Sequence, residues 1–372
     1  MNKNIYRTMK QKRLIIFIPS IEGGGVEKNL FIISNYLKDK LSNISVITVS
    51  KKFKNKFNKK IKFISLKANF WDTIGRRKKF FVGLFLLFLE ILKDRNILVL
   101  CFQGNVYCTL LCKLLGIKII VRSNSSPDGW SQNRFKRLVF KYVLRNADKI
   151  IVNSLDFKKK FRSKFNIHTE CIYNPLNKKE IIEKSKIKNK IKFDKNKLNI
   201  INVGRYTDQK DQITLLKAVN LIKNKVNFNL LIVGRGIEKK NLQNYIKKNN
   251  LINQVRLINY QSNPFNLIKS SDIFCLTSLY EGLPNVLLES QVLKKFIISS
   301  NCPTGPREIL LDGKAGFLFN IKDYKKLSEL IIYYFENKKK LSKKIELGYK
   351  NLKRFDSNLN LNNYLKIINS LI

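Results

Sequence analysis

Short apolar runs alternate with longer stretches in which apolar residues recur every three or four positions, and the alternation occurs twice along the chain. In the first half, Leu14–Ile18, Ile44–Val49, Ile97–Phe102, Lys118–Val121 and Ile150–Val152 have the length and side chains of buried strands. Between them Val26–Lys40, Phe80–Leu92, Tyr107–Leu115 and Asn133–Arg145 carry helical spacing. The second half restarts with strands over Ile200–Val203, Leu230–Val233, Val255–Ile258, Ile273–Leu276 and Phe296–Ser299. Its predicted helices are Asp211–Lys223, Lys239–Lys248, Pro264–Ser270, Val286–Val292, Arg307–Leu311 and Lys322–Phe335. Strands joined through helices of this length need crossover connections, which make neighbouring strands parallel. The pattern therefore predicts an α/β chain of two doubly wound, Rossmann-like domains, 1–175 and 199–358. A polar, Lys-rich linker over 176–198 follows the Asn174-Pro175 turn signal, and an apolar-periodic helix over 359–372 ends the chain.

Length and composition agree with two packed cores. At ~150 residues per domain, 372 residues suggest two, and 44% hydrophobic against 27% charged residues excludes a disordered chain. The longest apolar stretch, Phe80–Leu92, has eleven apolar residues of thirteen and falls short of the ~20 a membrane span needs. The basic start (Lys3, Arg7, Lys10, Lys12, Arg13) leads into an apolar run that ends at Pro19 and a glycine cluster, unlike a leader's small-residue cleavage site. A cytoplasmic location is the expectation.

The net charge of +47 changes the picture more. Up to Pro175 there are 36 basic and 10 acidic residues, and beyond it 37 and 16, so the excess is no detachable tail. A Lys-, Asn- and Ile-rich composition accounts for part of it; the functional readings are nucleic acid, anionic membrane or anionic substrates. No nucleic-acid motif accompanies the charge, so an anionic membrane surface is the expected partner and nucleic acid is not. The Arg76–Lys79 cluster beside Phe80–Leu92 is one candidate docking element, and the Trp130–Arg145 stretch, which interleaves aromatics with cations, is another. The six cysteines form no disulfide framework. Cys108 and Cys112 share a helix face, but the lone histidine, His168, is distant, so no metal site is expected.

In doubly wound sheets ligands meet the loops at the carboxyl ends of strands. Four such loops stand out. Gly23-Gly24-Gly25 lies between the first strand and helix, where backbone can approach a ligand and a helix N-terminus favours an anion. Val203-Gly204-Arg205 through Lys210 places two cations before a helix, an arrangement that opposes the helix dipole unless an anion sits between them. Glu281-Gly282-Leu283-Pro284-Asn285 precedes a helix that carries Glu289, and Asn301–Arg307 forms a Pro- and Gly-shaped turn after a further strand.

Together with Leu231–Gly236 and Asp312–Phe317, these residues make the chain resemble the retaining, nucleotide-sugar-dependent GT-B glycosyltransferases called glycosyl transferases group 1, of the type that builds bacterial surface polysaccharides. The spacing of Glu281 and Glu289 within this order of landmarks is the specific part. The resemblance implies two Rossmann-like domains facing a central cleft. It also implies transfer of a hexose or N-acetylhexosamine from a nucleoside-diphosphate sugar, UDP-linked by expectation, to a lipid-linked or growing oligosaccharide acceptor at the inner face of the cell membrane. Arg205 and Lys210 would hold the diphosphate, Glu281 the donor sugar and Glu289 the ribose. Asn285, Val286 and Leu287 would offer backbone amides, and Gly24 and Gly25 would close over the donor. No cofactor or metal is implied beyond the donor itself, and no D-x-D motif occurs. Many relatives place a histidine in the first domain; here Arg122 and Asn124 are the polar candidates on that acceptor side. The departure keeps open an alternative, a non-catalytic GT-B-like scaffold at the membrane.

Overall fold

The computed structural model describes residues 12–22, 25–68, 70–124, 133–188, 191, 193–194 and 196–372. Two units divide the chain: one runs to Asn153 and takes up Phe157–Pro175 and Asn358–Ile372, the other holds Ser154–Asp156 and Leu176–Ser357.

The first unit's strands are β1 (Arg13–Phe17), β2 (Ile44–Ile47), β3 (Lys62–Ile64), β4 (Ile97–Cys101), β5 (Lys118–Ser123), β6 (Lys149–Val152) and β7 (Glu170–Cys171). They form one sheet in the order β3-β2-β1-β4-β5-β6-β7, with every neighbouring pair parallel. Strands covered on both faces need apolar residues at every position, which is why β1 and β4 read as unbroken runs. Leu14 and Ile16 face a layer that includes helices Gly25–Lys38 and Ser357–Asn369. Ile15 and Phe17 face the layer of helices Arg76–Lys93, Asn105–Leu114 and Leu155–Phe165.

The second unit's sheet contains β8 (Leu198–Val203), β9 (Phe228–Gly234), β10 (Val255–Asn259), β11 (Ile273–Leu276), β12 (Phe296–Ser300) and β13 (Phe317–Phe319). Its order is β10-β9-β8-β11-β12-β13, again all parallel. Helices Gln212–Ile222, Lys239–Lys248 and Tyr324–Asn337 bury their apolar stripes against it.

One segment lies differently from its sequence expectation, and another finds a packing partner that the sequence does not name. The stretch 176–198 groups with the second unit and holds helix Lys178–Lys186, where the Asn177 side chain caps the N-terminus by accepting from the Glu180 amide. Buried Ile181 and the Asn266 amide, which donates to the Ser185 carbonyl (3.1 Å), tie this helix down. The C-terminal helix Ser357–Asn369 joins the first unit by inserting Leu361, Tyr364 and Ile368 into its core.

Tyr364 also meets Arg122, whose guanidinium is fully buried in β5. Arg122 Nε donates to the Tyr364 hydroxyl (2.7 Å), Nη2 donates to Asn174 Oδ1 (2.8 Å), and Cζ lies 5.2 Å from the Phe102 ring centre. Buried hydrogen bonds to a charged group contribute about 1.5–3 kcal/mol each. Arg122→Met should therefore lower unfolding stability by roughly 3 kcal/mol in urea titration. Tyr364→Phe should cost about half as much, and equal costs would reject the arginine as the centre of this network.

Candidate functional site

Strand order reverses between β1 and β4 in the first unit and between β8 and β11 in the second. An open parallel sheet offers a crevice at the carboxyl ends of such a pair, because the connecting helices leave toward opposite faces. The loops leaving β8 and β11 are those that carry Arg205, Lys210 and Glu281.

Tyr206 fixes the first loop. Its ring is buried, its hydroxyl lies 2.8 Å from the Ile232 carbonyl and 2.6 Å from that of Ile258, and its amide donates to Arg235 (2.9 Å). Burial pushes the phenol well above its usual range. Next to this anchor the Arg205 side chain is exposed, with no hydrogen bond or ion pair among the described residues. A close approach brings the loop onto β9: a Cβ on Gly234 would sit 1.9 Å from the Gly204 carbonyl oxygen.

The two loops are stitched together. Leu279 donates its amide to Gln209 (2.8 Å), Gln209 Nε2 donates to Tyr280 (2.9 Å), and Thr277 Oγ1 donates to the Lys210 carbonyl (2.9 Å). The result is a contact between Lys210 Nζ and Glu281 Oε1 at 2.5 Å, with both side chains largely buried. The Ser278 hydroxyl donates to the same oxygen (2.6 Å). Glu281 Oε2 has no partner among the described residues and is left as an acceptor. Glu281 is held from its backbone as well: its amide donates to Pro303 (2.8 Å) and its carbonyl accepts from the Thr304 amide (3.2 Å). Gly305 makes that third loop possible, since at φ +91° a Cβ would lie 2.2 Å from the Gly282 carbonyl oxygen. Burial first, then the Glu281 carboxylate, pushes the nearby Cys302 thiol up to about 12, so it is no nucleophile at neutral pH.

Helix Asn285–Val292 begins directly after Pro284, with no side chain capping it. Its half-buried first residues Asn285 and Val286 bring the positive end of the helix dipole to the same loop cluster. Leu287, expected to offer its amide, instead donates it to the Pro284 carbonyl (3.1 Å) and is buried. Glu289 lies on this helix and is also buried.

In the first unit, Gly25 opens the helix after β1, at the reversal of strand order, while Gly23 and Gly24 lie outside the described residues. Arg122 is not an exposed acceptor-side group: the strand turns it into the core, where Tyr364 and Asn174 occupy it. Asn124 stays at the end of β5; its amide donates to Phe102 (3.0 Å) and its buried oxygen has no partner among the described residues. Gln103 and Asn153, ending β4 and β6, have buried amide oxygens in the same condition. Sequence reasoning passed over both, and over Ser278, since Asn, Gln and Ser after a strand are ordinary loop composition. His168 is exposed. Among the described residues no three His, Cys, Asp or Glu side chains could hold a metal ion, and no helix is long and apolar enough to cross a membrane.

Residues 183–351 match the family model Glycosyl transferases group 1. An uncharacterized glycosyltransferase of Methanocaldococcus jannaschii is 35% identical over 198 residues, covering 50% of this chain and 48% of that one. An N-acetylgalactosamine-N,N'-diacetylbacillosaminyl-diphospho-undecaprenol 4-alpha-N-acetylgalactosaminyltransferase of Campylobacter jejuni is 28% identical over 227 residues, 58% of this chain and 60% of that one. The chain thus spans about half of the first relative's length and 60% of the second's. The crystal structure of Anabaena Alr3699/HepE in complex with UDP superposes with a TM-score of 0.78 at 17% identity, over 96% of this chain and 100% of the other. The chain has the GT-B fold, and it is residues within its second unit that resemble the glycosyl transferases group 1 model.

Proposed function

We propose that this GT-B chain is a glycosyltransferase that moves a hexose or N-acetylhexosamine from a nucleoside-diphosphate sugar, UDP-linked, to a lipid-linked or growing glycan with retention of configuration. The observation that carries the reading is the convergence of Arg205, Lys210 and Glu281 with the start of helix Asn285–Val292 at one reversal of strand order. Breaking the bond between the sugar's anomeric carbon and the diphosphate leaves negative charge on the departing phosphate. Arg205 and the amides at the start of helix Asn285–Val292 would stabilise that charge where it develops. Lys210, held by Glu281 before the donor arrives, would divide its charge between the carboxylate and the phosphate. Glu281 Oε2 would accept from a donor-sugar hydroxyl and Glu289 from the ribose. The buried amide oxygens of Gln103, Asn124 and Asn153, without partners among the described residues, suit hydroxyl groups of the acceptor as donors. A lipid-linked acceptor is supported by the undecaprenol-linked glycan named for the Campylobacter relative. The joint presence of Arg205, Lys210, Glu281 and Glu289 weighs against a non-catalytic scaffold, because a decayed site need not retain all four.

The test is a melting-temperature screen against UDP-, GDP- and ADP-sugars, because a ligand that binds only the native state raises apparent stability by about 2.7 kcal/mol at a hundred times its dissociation constant. The anomeric configuration of the product by NMR then tests retention. No shift with any of these donors would remove the reading. Since side-chain cations and helix amides are assigned the leaving-group charge, transfer is expected to persist in EDTA. Loss of turnover on chelation, with recovery in manganese or magnesium, would show that those groups do not suffice.

A further inference from the structure

Three neighbouring helices of the first unit leave apolar side chains uncovered on their outward faces. In helix Arg134–Arg145 only Val143 and Leu144 are buried. Phe135, Leu138, Val139 and Tyr142 follow the spacing of a core-facing stripe, yet Phe135 is 72% and Tyr142 73% exposed. Helix Asn105–Leu114, packed beside it, exposes Tyr107, Leu110 and Leu114 while Cys108 and Cys112 face the sheet. Helix Arg76–Lys93 packs against the other side of Asn105–Leu114 and exposes Phe81, Phe85 and Leu92.

The charge on these helices is one-sided. Arg134–Arg145 has five cations and no acid. Arg76, Arg77 and Lys78 are exposed at the start of Arg76–Lys93, whereas Lys79, counted with them from the sequence, is buried and donates to the Asp72 carbonyl (2.9 Å). The three helices carry one acid, Glu90, which is buried and paired with Arg13.

We infer that this three-helix face docks the protein on an anionic lipid bilayer, with Phe135, Leu138 and Tyr142 entering the headgroup–acyl boundary and the arginines and lysines meeting lipid phosphates. A cationic helix with an exposed apolar stripe fits an interface that is wet and negative on one side and apolar on the other. Nucleic acid would answer the cations and leave the apolar stripe in water. The inference goes beyond the transfer reading and stands without it; together they place an acceptor held in the membrane within reach of the chain.

The experiment is co-sedimentation of the full chain with phosphatidylcholine vesicles, with and without phosphatidylglycerol, at low and high salt. The protein should pellet with the anionic vesicles alone and be released as salt shortens the Debye length to ~3 Å at 1 M. The triple variant F135S/L138S/Y142S changes exposed side chains only, so it should melt like the native chain. Its partitioning should fall about tenfold or more, since three apolar anchors are lost together. Arg137→Glu with Lys141→Glu should do the same at low salt. Failure to pellet with anionic vesicles at low salt overturns the inference, and so does a triple variant that pellets normally. A lipid-free dimer abolished by the triple variant, without vesicle binding, would assign the face to a second copy. Donor-induced melting shifts are read in the same samples: a shift without vesicle binding sinks the docking face alone, and binding without a shift sinks the transfer reading alone.

Discussion

Arg205→Ala is expected to leave the melting temperature unchanged and to slow transfer from the nucleotide sugar by about a hundredfold, near 3 kcal/mol of transition-state stabilisation. The two halves of that expectation have separate origins. The side chain is exposed and unpartnered among the described residues, so removing it breaks no native contact. Its backbone is positioned by buried Tyr206 and by Gln212 Nε2, which donates to the Arg205 carbonyl (2.9 Å), so the charge is held in place before substrate arrives. Lys210→Ala should slow transfer comparably but also lower the melting temperature, because Glu281 would keep only Ser278 as a partner in a largely buried position. Turnover and melting point for both variants separate the roles. Unchanged turnover in Arg205→Ala would remove that residue from the diphosphate site.

Gly234→Ala should damage stability and transfer together. The added methyl would lie 1.9 Å from the Gly204 carbonyl oxygen and 3.1 Å from Tyr206 Cε1, and neither neighbour can retreat. The Gly204 amide is bonded to Val233 (3.0 Å), and the Tyr206 hydroxyl is lodged against two carbonyls. Relief would require prising the β8 loop from β9, at about 3 kcal/mol or more. For a domain of this size that is a fall of roughly 6–12 °C in Tm, at ~2–4 °C per kcal/mol. The same displacement would carry Arg205 away from the Glu281 loop. A variant that melts like the native chain would show that the strand ends can part at little cost.

The doubly wound architecture was legible because central parallel strands are covered on both faces and must be apolar throughout: β1, β4 and β9 announce themselves. The strands that escaped, β3, β7 and β13, are short edges of two or three residues whose pattern is shared with any loop. In helix Leu155–Phe165 the buried Phe157, Phe161 and Phe165 are spaced by four, but the lysines and arginine between them mask the stripe of three rings in the sequence. Helix Lys178–Lys186 reads as linker because it buries only Ile181 and Ser185 and so carries no apolar stripe. In the site, charged residues at strand ends were visible since no core explains them. Arg122 misled because the strand reads as ending at Val121 and the resemblance puts a polar group just beyond it, whereas β5 runs to Ser123 and the arginine's partners, Asn174 and Tyr364, lie 52 and 242 positions further along. Ser278 shows the opposite limit: a hydroxyl that sets the direction of Glu281 leaves no trace in sequence.

The bond between Arg122 and Tyr364 joins residues 242 positions apart, and a ribosome makes them in that order. At about 5–20 residues per second, roughly 12 to 50 seconds separate the two during synthesis. Through that interval the emerging first unit has its sheet but lacks the helix that covers part of it, and a guanidinium that must end up dry still needs water or another partner. Vectorial folding from the N-terminus is therefore closed to this chain as a finished event. The second unit, whose segments are complete by Ser357, is free to fold first, and the first unit to be born is the last to be sealed.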